Sequence, residues 1–541
     1  MLSGELTPEI CQRIVEARDP RFDGVFFVAI TTTRVYCRPV CPARVVHRER
    51  RRFFASAAAA EHAGYRPCLR CRPELAPGRA LCDAVPRLAG AAAQRIAAGA
   101  LNGRSVAQLA RELCVSERHL RRALERELGV SPVELAQTHR LLLAKRLLAD
   151  TDLSITRIAY ASGFQSLRRF NTVFRERYRM APNALRRERR AARLARIDDD
   201  SDLLHLTLSY RAPLAWAALL AHLRSEAVPG IETIEEQRYA RTVRVNGVSG
   251  VVFAEENPRT RREGGTRARP GNHGRETHLS IALSSALLPA LMPLLAKLRQ
   301  LFDLDAEPSV IDAHLAQAGL GPLVRRTPGV RVPGALDGFE VALRLLLGLD
   351  SAATPTARAL ARRIMLTFGE PIDSGYPSLT RLSPGADRIA DAGAERIAAA
   401  GISRRRATAI ATVARLVADG VVQLEPGADV AATQCALQNT AGLDANIATS
   451  IVMRALHWPD AFPAADHALQ RAAGVECEAA LVEAAQAWRP WRAYATMRLW
   501  DALREQMPLP RTNGTRATAR ALPSRSRADR RAGAGSHDLR S

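Results

Sequence analysis

Apolar positions recur at helical spacing through residues 77–190. Val106, Leu109, Ala110 and Leu113 share one face of a segment that Ser105 can cap, which predicts a helix through Glu112. A turn at Cys114-Val115-Ser116 follows, and Ser116 can cap a second helix, Glu117 to Leu128. The arrangement repeats: Ser154 precedes a helix from Ile155 to Ala161, Ser162-Gly163-Phe164 turns, and Ser166 opens a helix to Tyr178. A longer helix, Pro132 to Ala149, joins the pairs, so two helix-turn-helix units stand in tandem. Beyond residue 202 the period changes. Leu204, Leu206 and Leu208 alternate as a strand; Tyr239 to Val245, Val248 to Phe253 and Thr277 to Leu283 read likewise. Trp216 to Ser225 and Leu287 to Phe302 read as helices, and Glu255 to Glu276, rich in Gly, Arg and Pro, as a loop. Residues 301–505 are mostly helical.

These patterns predict a multidomain, mainly α protein. Segments 1–76, 82–190, 203–300 and 301–505 are the expected domains: a small α+β four-cysteine domain, an all-α double helix-turn-helix domain, an α+β domain and an all-α domain. Arg186 to Arg196 is a basic run broken by Asp198-Asp199-Asp200-Ser201-Asp202, which makes 191–202 the expected linker. Residues 506–541 read as a disordered basic tail. The chain has 541 residues, enough for several cores. Its 78 Lys and Arg against 55 Asp and Glu give a net charge of +23, which points to a polyanionic partner, most simply double-stranded DNA. Part of the arginine and alanine excess reflects a GC-rich coding sequence. Met1-Leu2-Ser3-Gly4-Glu5 lacks a charged-then-apolar leader, and no apolar run has the length of a membrane span. The expectation is a cytoplasmic, nucleoid-associated bacterial monomer. Cys11, Cys82, Cys114, Cys435 and Cys477 are scattered and read as ordinary buried thiols.

Chemistry concentrates between Val35 and Pro73. Cys37-Arg38-Pro39-Val40-Cys41 and Cys68-Leu69-Arg70-Cys71 are a C-x3-C and a C-x2-C pair. Two such knuckles close a tetrahedron around Zn2+. Two disulfides are the rival reading, and they do not persist in a reducing cytosol. Arg34, Arg38, Arg44, Arg48, Arg50, Arg51, Arg52, Arg66, Arg70 and Arg72 surround the pairs. The cluster is then either a plain zinc knuckle with a solvated basic face, or a site whose negative charge matters. Zinc-bound sulfur stays thiolate and nucleophilic at neutral pH.

Thr32 to Arg44 and Gly64 to Cys71 closely resemble the zinc domain of Ada, the bacterial adaptive-response regulators, over roughly residues 5–76. The resemblance implies that Cys37 accepts a methyl group irreversibly from a DNA methylphosphotriester, that Cys41, Cys68 and Cys71 complete the zinc site, and that Thr33, Arg44 and Arg66 contact phosphate. The second methyltransferase motif of full-length Ada, Pro-Cys-His-Arg, is absent from the sequence.

Ile158 to Ser166, with Phe170, Phe174, Arg175 and Pro182, resembles the AraC-type DNA-binding domain, which also follows the zinc domain in Ada. A generic helical bundle is the plainer alternative. The resemblance implies a transcriptional activator, with RNA polymerase as a partner. Candidate DNA contacts are Arg118, His119, Arg121 and Arg122 in the first unit, and Gln165, Ser166, Arg168, Arg169 and Asn171 in the second. For any one of them, solvated surface or phosphate contact competes with base reading.

Leu208 to Trp216 and Ala227 to Glu232 resemble the N-terminal domain of AlkA, the alkylbase DNA glycosylases. Phe302 to Pro308 and Val332 to Glu340 resemble the same family. Leu437-Gln438-Asn439-Thr440-Ala441-Gly442-Leu443-Asp444, followed by a helix and then Asp460 to His467, is similar to its helix-hairpin-helix pattern. The resemblance implies that the hairpin, with Gly442, holds a DNA phosphate. It also implies that Asp466 is the glycosylase acid/base, and that Trp500 lines the base pocket and stacks on the lesion base. An aspartate in this position also reads as a helix cap. Departures are evident: Asp444 replaces the last hairpin glycine, Asn446 and Ser450 replace pocket aromatics, and Leu349-Asp350 replaces a Gln-rich pattern. Asn446 in place of a lysine argues against lyase chemistry, and no cysteine cluster for iron–sulfur follows Asp466.

The combined reading is a DNA alkylation-damage response protein. It takes a methyl onto a zinc-bound cysteine, activates transcription, and excises bases such as 3-methyladenine as a monofunctional glycosylase. The alternative is a regulator whose glycosylase-like half binds DNA without turnover. A metal-dependent nuclease finds no carboxylate cluster in the sequence.

Overall fold

The computed structural model describes residues 7–43, 47–77, 87–186, 203–256, 277–349 and 354–506. Arg44, Cys82, Asp350, the linker 191–202, most of the 255–276 loop and the tail beyond Gln506 lie outside them.

The first sheet has four short strands in the order Arg51–Phe54, Phe27–Ile30, Val35–Cys37, Arg66–Pro67. Strand alternation gives it two faces. Phe26 and Val28 pack with Cys11, Ile14, Cys37 and Cys71, while Phe27 and Ala29 pack with Tyr36, Ala60 and Tyr65 on the other side. Arg66–Pro67 runs parallel to Val35–Cys37, pairing Val35 with Arg66 and Tyr36 with Pro67. That register brings the two cysteine knuckles side by side.

The helix-turn-helix segment follows its caps. Ser105, Ser116, Ser154 and Ser166 each accept the backbone N–H three residues on, opening helices Val106–Glu112, Glu117–Leu128, Ile155–Ala161 and Leu167–Tyr178. Ser131 and Glu134 form a capping box ahead of Pro132–Asp150. Leu120, Leu124 and Leu128 are buried at four-residue steps, as are Phe170, Phe174 and Tyr178, whose successive ring centroids are 5.5 and 4.4 Å apart.

The second sheet is antiparallel, in the order Leu203–Ser209, His278–Ser284, Val248–Glu256, Arg238–Val245, Glu232–Glu235. Its edge strand, Glu232–Glu235, is not apparent in the hydrophobic pattern, because its inward residue is a glutamate. Buried Glu232 accepts from Tyr239 Oη at 2.7 Å, Arg241 Nη1 at 2.9 Å and Arg344 Nη1 at 3.0 Å. Arg241 also donates to Glu340 at 2.8 Å, so this network ties the sheet to helix Gly338–Leu346. The helix expected from Leu287 begins instead as a 3-10 turn, Ser285–Ala290, and becomes α-helical over Leu291–Leu301. Pro289 has no N–H to donate into a regular α-helical turn.

The last segment is helical with one correction. Glu370–Pro371 pairs antiparallel with Arg381–Leu382, so it is not purely α. Helices Val430–Gln438 and Ala445–Ala455 flank the hairpin, and His467–Ala473 packs on Arg492–Gln506. Among the described residues, no helix is long and apolar enough to cross a membrane. Cys11 is buried as expected, whereas Cys114, Cys435 and Cys477 are exposed, which corrects that expectation. Cys114 stands in a turn at φ +55°, Cys435 is exposed within helix Val430–Gln438, and Cys477 stands at the N-cap of helix Glu478–Ala484.

Candidate zinc centre, DNA surfaces and glycosylase site

Cys37 ends its strand, and Cys41 follows in a turn closed by Cys41 N–H to Arg38 O at 3.1 Å. Cys68 N–H donates to Tyr36 O at 2.9 Å, which hangs the second knuckle on the first. The four sulfurs lie within 4.8 Å of one another. Zn–S bonds of about 2.3 Å in a tetrahedron put sulfurs about 3.8 Å apart, so the donor set fits Zn2+. Hydrogen bonding among the thiols, chiefly with Cys37, pulls Cys68 far down, while Cys37 is pushed up. A cation serves such a cluster better than four protons.

Backbone donors are unevenly shared. Arg38 N–H reaches Cys71 Sγ at 3.4 Å, Arg70 N–H reaches Cys68 Sγ at 3.3 Å, and the Ala43 backbone hydrogen-bonds Cys41. Among the described residues, Cys37 Sγ receives no backbone donor. Its surface is 9% exposed.

The arginine shell is thinner than the sequence suggests. Arg38 is buried against Asp23 and donates to Cys71 O, Arg48 pairs with Glu16, Arg51 with Gln12 and Glu16, and Arg72 with Asp150 and Glu74. Arg34 lies over the Tyr65 ring, 5.4 Å from its centroid. Among the described residues Arg50, Arg52, Arg66 and Arg70 form no ion pair. Thr33 is exposed in the turn before Cys37, and Arg66 is half-buried.

The zinc-bearing segment is anchored to the helix-turn-helix segment by buried charge. Lys145 Nζ lies 2.5 Å from Glu74 Oε2 and 3.2 Å from Cys68 O. Glu61 is buried, accepting from Tyr36 Oη at 3.0 Å and Thr138 Oγ1 at 2.9 Å, with Arg177 Nε 3.7 Å away. Tyr36 adjoins Cys37, while Thr138 and Arg177 belong to helices Pro132–Asp150 and Leu167–Tyr178. No spacing rule announced these contacts; apart from Tyr36 with Glu61, they join residues more than 70 apart.

In the two helix-turn-helix units, Arg118, His119 and Arg122 are exposed near the start of one helix, and Gln165, Ser166, Arg168 and Arg169 at the start of the other. Asn171 is half-buried. Arg121 is engaged by Glu117 at 3.0 Å, four residues back. Ser166 uses its hydroxyl as the cap.

At the hairpin, Gly442 has φ +87°, and a Cβ there would meet Arg405 Cγ and carbonyl at 3.1 Å. Only glycine suits both constraints. Asp444 caps the following helix, its Oδ1 accepting Asn446 N–H at 2.7 Å. Asn446 in turn accepts Ala465 N–H through Oδ1 at 3.2 Å, linking the hairpin helix to the loop before Asp466. Asp460 anchors the start of that loop with Arg489 at 3.0 Å and Arg492 at 2.7 Å. Asp466 caps its helix and also meets a tryptophan: Oδ1 accepts Ala468 N–H at 2.7 Å and Oδ2 accepts Trp500 Nε1–H at 2.9 Å. Trp500 is 6% exposed and its ring lies parallel to His222, centroids 6.5 Å apart. Ser450 is half-buried on the same helix as Asn446.

Three family models match the chain: the metal binding domain of Ada over residues 10–74, a helix-turn-helix domain over 109–188, and the AlkA N-terminal domain over 205–337. A relative from Mycobacterium tuberculosis, the "Probable bifunctional transcriptional activator/DNA repair enzyme AlkA", is 34% identical over 500 residues, covering 92% of this chain and 96% of the relative. The chain belongs to this family of bifunctional activator and DNA repair proteins. "DNA-3-methyladenine glycosylase 2" of Escherichia coli is 29% identical over 294 residues, 54% of this chain and 96% of the relative. "Bifunctional transcriptional activator/DNA repair enzyme Ada" of Escherichia coli is 33% identical over 160 residues, 29% of this chain and 43% of the relative. The family thus joins an Ada-type zinc domain, a helix-turn-helix and an AlkA-type half in one chain, with Zn2+ held by Cys37, Cys41, Cys68 and Cys71.

Proposed function

We propose that this chain both senses and repairs alkylated DNA. Its zinc domain takes a methyl from DNA methylphosphotriesters onto Cys37, its helix-turn-helix domain activates transcription, and its C-terminal half hydrolyses the glycosidic bond of alkylated bases such as 3-methyladenine. The observation that carries the repair reading is Asp466, fixed by Trp500 on one oxygen and Ala468 on the other.

For the sensor, zinc keeps all four sulfurs as thiolates at neutral pH. Backbone N–H groups drain charge from Cys41, Cys68 and Cys71, which leaves Cys37 the most basic sulfur. Cys37 Sγ attacks the methyl carbon; the S–C bond forms, the C–O bond breaks, and the electron pair returns to a phosphate oxygen. The thioether is stable, so the step occurs once. Thr33, Arg44 and Arg66 hold the phosphotriester strand. The cluster loses one negative charge and repels DNA less, which favours the exposed Arg118, His119, Arg122, Arg168 and Arg169 engaging an operator. RNA polymerase is the partner an activator requires.

For excision, the carboxylate of Asp466 faces charge developing on the sugar as the C1′–N bond breaks and its electron pair leaves with the base. Asp466 accepts a proton from the attacking water, whose oxygen bonds C1′. Cationic alkylated purines already have weak glycosidic bonds, so modest stabilisation suffices. Gly442 and the amides around it bear on a phosphate. Asp444 weakens that contact because its own carboxylate already takes the Asn446 amide.

Incubation with methylated DNA tests both halves: peptide mass spectrometry places one methyl on Cys37, and chromatography detects free 3-methyladenine. A methyl on another residue sinks the sensor reading. Absence of free base leaves the regulator that binds DNA without excising.

A further inference from the structure

We infer that His222, on the helix Trp216–Glu226 of the AlkA N-terminal segment, is a positioning residue for Asp466, acting through Trp500. The inference rests on Asp466 being the excising carboxylate.

The link is geometric. Trp500 Nε1–H points at Asp466 Oδ2 at 2.9 Å, so the tilt of the indole decides where that carboxylate oxygen stands. An indole has one polar atom and can otherwise slide on apolar neighbours. Here the His222 ring is its aromatic neighbour, parallel within 15° at a centroid distance of 6.5 Å. His222 is itself clamped: Arg504 Nη1 donates to its Nδ1 at 3.1 Å, and its Nε2 lies 3.0 Å from Glu226 Oε1. Glu226 is fixed by Arg454 Nη1 at 2.7 and 2.6 Å, and Arg454 Nε donates to Pro333 O at 3.2 Å.

His222 at 1%, Glu226 at 1%, Arg454 at 4% and Trp500 at 6% are buried, while Arg504 and Asp466 are half-buried. Burial pushes the His222 imidazole down to about 4, so it is neutral at physiological pH. It then accepts from Arg504 rather than repelling it. Burial works to raise Glu226, but the Arg454 guanidinium holds it well below the usual carboxylate range, so it stays charged. The path Glu226, His222, Trp500, Asp466 crosses from the sheet-bearing segment to the helical one. It gives the AlkA N-terminal segment a part in the chemistry, through side-chain placement rather than through contact with the lesion.

The test is single-turnover release of 3-methyladenine from alkylated duplex DNA by the full chain, alongside affinity for an abasic-site duplex. H222A removes the ring and should lower the rate about tenfold, the scale of one lost aromatic pair, while affinity stays within about twofold. H222F restores a flat ring without the imidazole nitrogens and should recover most of the rate. D466N should abolish release. A loss that H222A and H222F share equally, or H222A at the wild-type rate, overturns the inference while leaving Asp466 in place. Wild type no better than D466N overturns the excision reading itself, and this inference with it.

Discussion

Lys145, on the long helix of the helix-turn-helix domain, and Glu74, beside the zinc knuckle, form an ion pair at 2.5 Å with side chains only 1% and 2% exposed. Because Lys145 also reaches the Cys68 carbonyl, the helix that joins the two helix-turn-helix units and the zinc-ligand segment share one buried contact. Removing Lys145 leaves the buried Glu74 carboxylate with Arg72 as its remaining counter-charge, a loss of the kind that costs several kcal/mol in buried pairs. Lys145→Met should therefore lower the unfolding free energy by about 3 kcal/mol. Adding Glu74→Leu should recover much of that. Urea unfolding followed by circular dichroism measures both; an unchanged midpoint for Lys145→Met contradicts the contact.

The same pair sets a pH dependence. Burial works to raise Glu74, but Lys145 and Arg72 hold it below its ordinary value. A depressed carboxylate contributes stability that is complete above its unfolded value, about 4.5, and lost as pH falls through the lower folded one. Stability should thus hold between pH 8 and 5, on the order of this range, and fall below about pH 4. In Glu74→Gln that acid limb should be shallower, as scanning the unfolding midpoint against pH will record.

Metal removal should unfold the first sheet. Its core is small and shares Cys37 and Cys71 with Phe26 and Val28. Cys41→Ala or a strong chelator should abolish zinc content and expose the first domain to protease, while helices Ile155–Ala161 and Leu167–Tyr178 keep their own aromatic core. Elemental analysis of reduced protein should give one zinc per chain.

Much of the fold was legible before any coordinates. Ser105, Ser116, Ser154 and Ser166 announced four helices because capping is local, a hydroxyl reaching an amide three residues on. The alternation of Leu204, Leu206 and Leu208 marked a strand for the same reason. The strand Glu232–Glu235 was hidden because it is secured by arginines at positions 241 and 344, not by an apolar face. At the two sites, residue identities came from motif resemblance, but their environments did not. Asp466 read as cap or acid; it caps, and its second oxygen meets Trp500, 34 residues away. Trp500 was expected to line the base pocket and stack on a lesion base; its indole is 6% exposed and lies parallel to His222, 278 residues before it. Such pairings depend on the tertiary fold and leave no local trace.

The hairpin offers an engineering test. Asp444 caps its helix, and glycine is a tolerable cap, costing a few tenths of a kcal/mol. Asp444→Gly should free the Asn446 amide and remove a negative charge facing phosphate. Binding to an abasic duplex should tighten by about threefold or more at low salt, with the gain shrinking as salt rises. Fluorescence anisotropy across a salt series decides; weaker binding at every salt contradicts the assigned phosphate contact.

The central claim is that one chain carries a working excision site beside its methyl sensor. The most direct measurement is release of free 3-methyladenine from methylated DNA by wild type and Asp466→Asn. Asparagine can keep the helix cap through its one amide oxygen, and it loses the charge together with the second acceptor that meets Trp500. The account predicts measurable release by wild type, none above background for Asp466→Asn, and equal DNA binding by both. Equal release by the two proteins would contradict it.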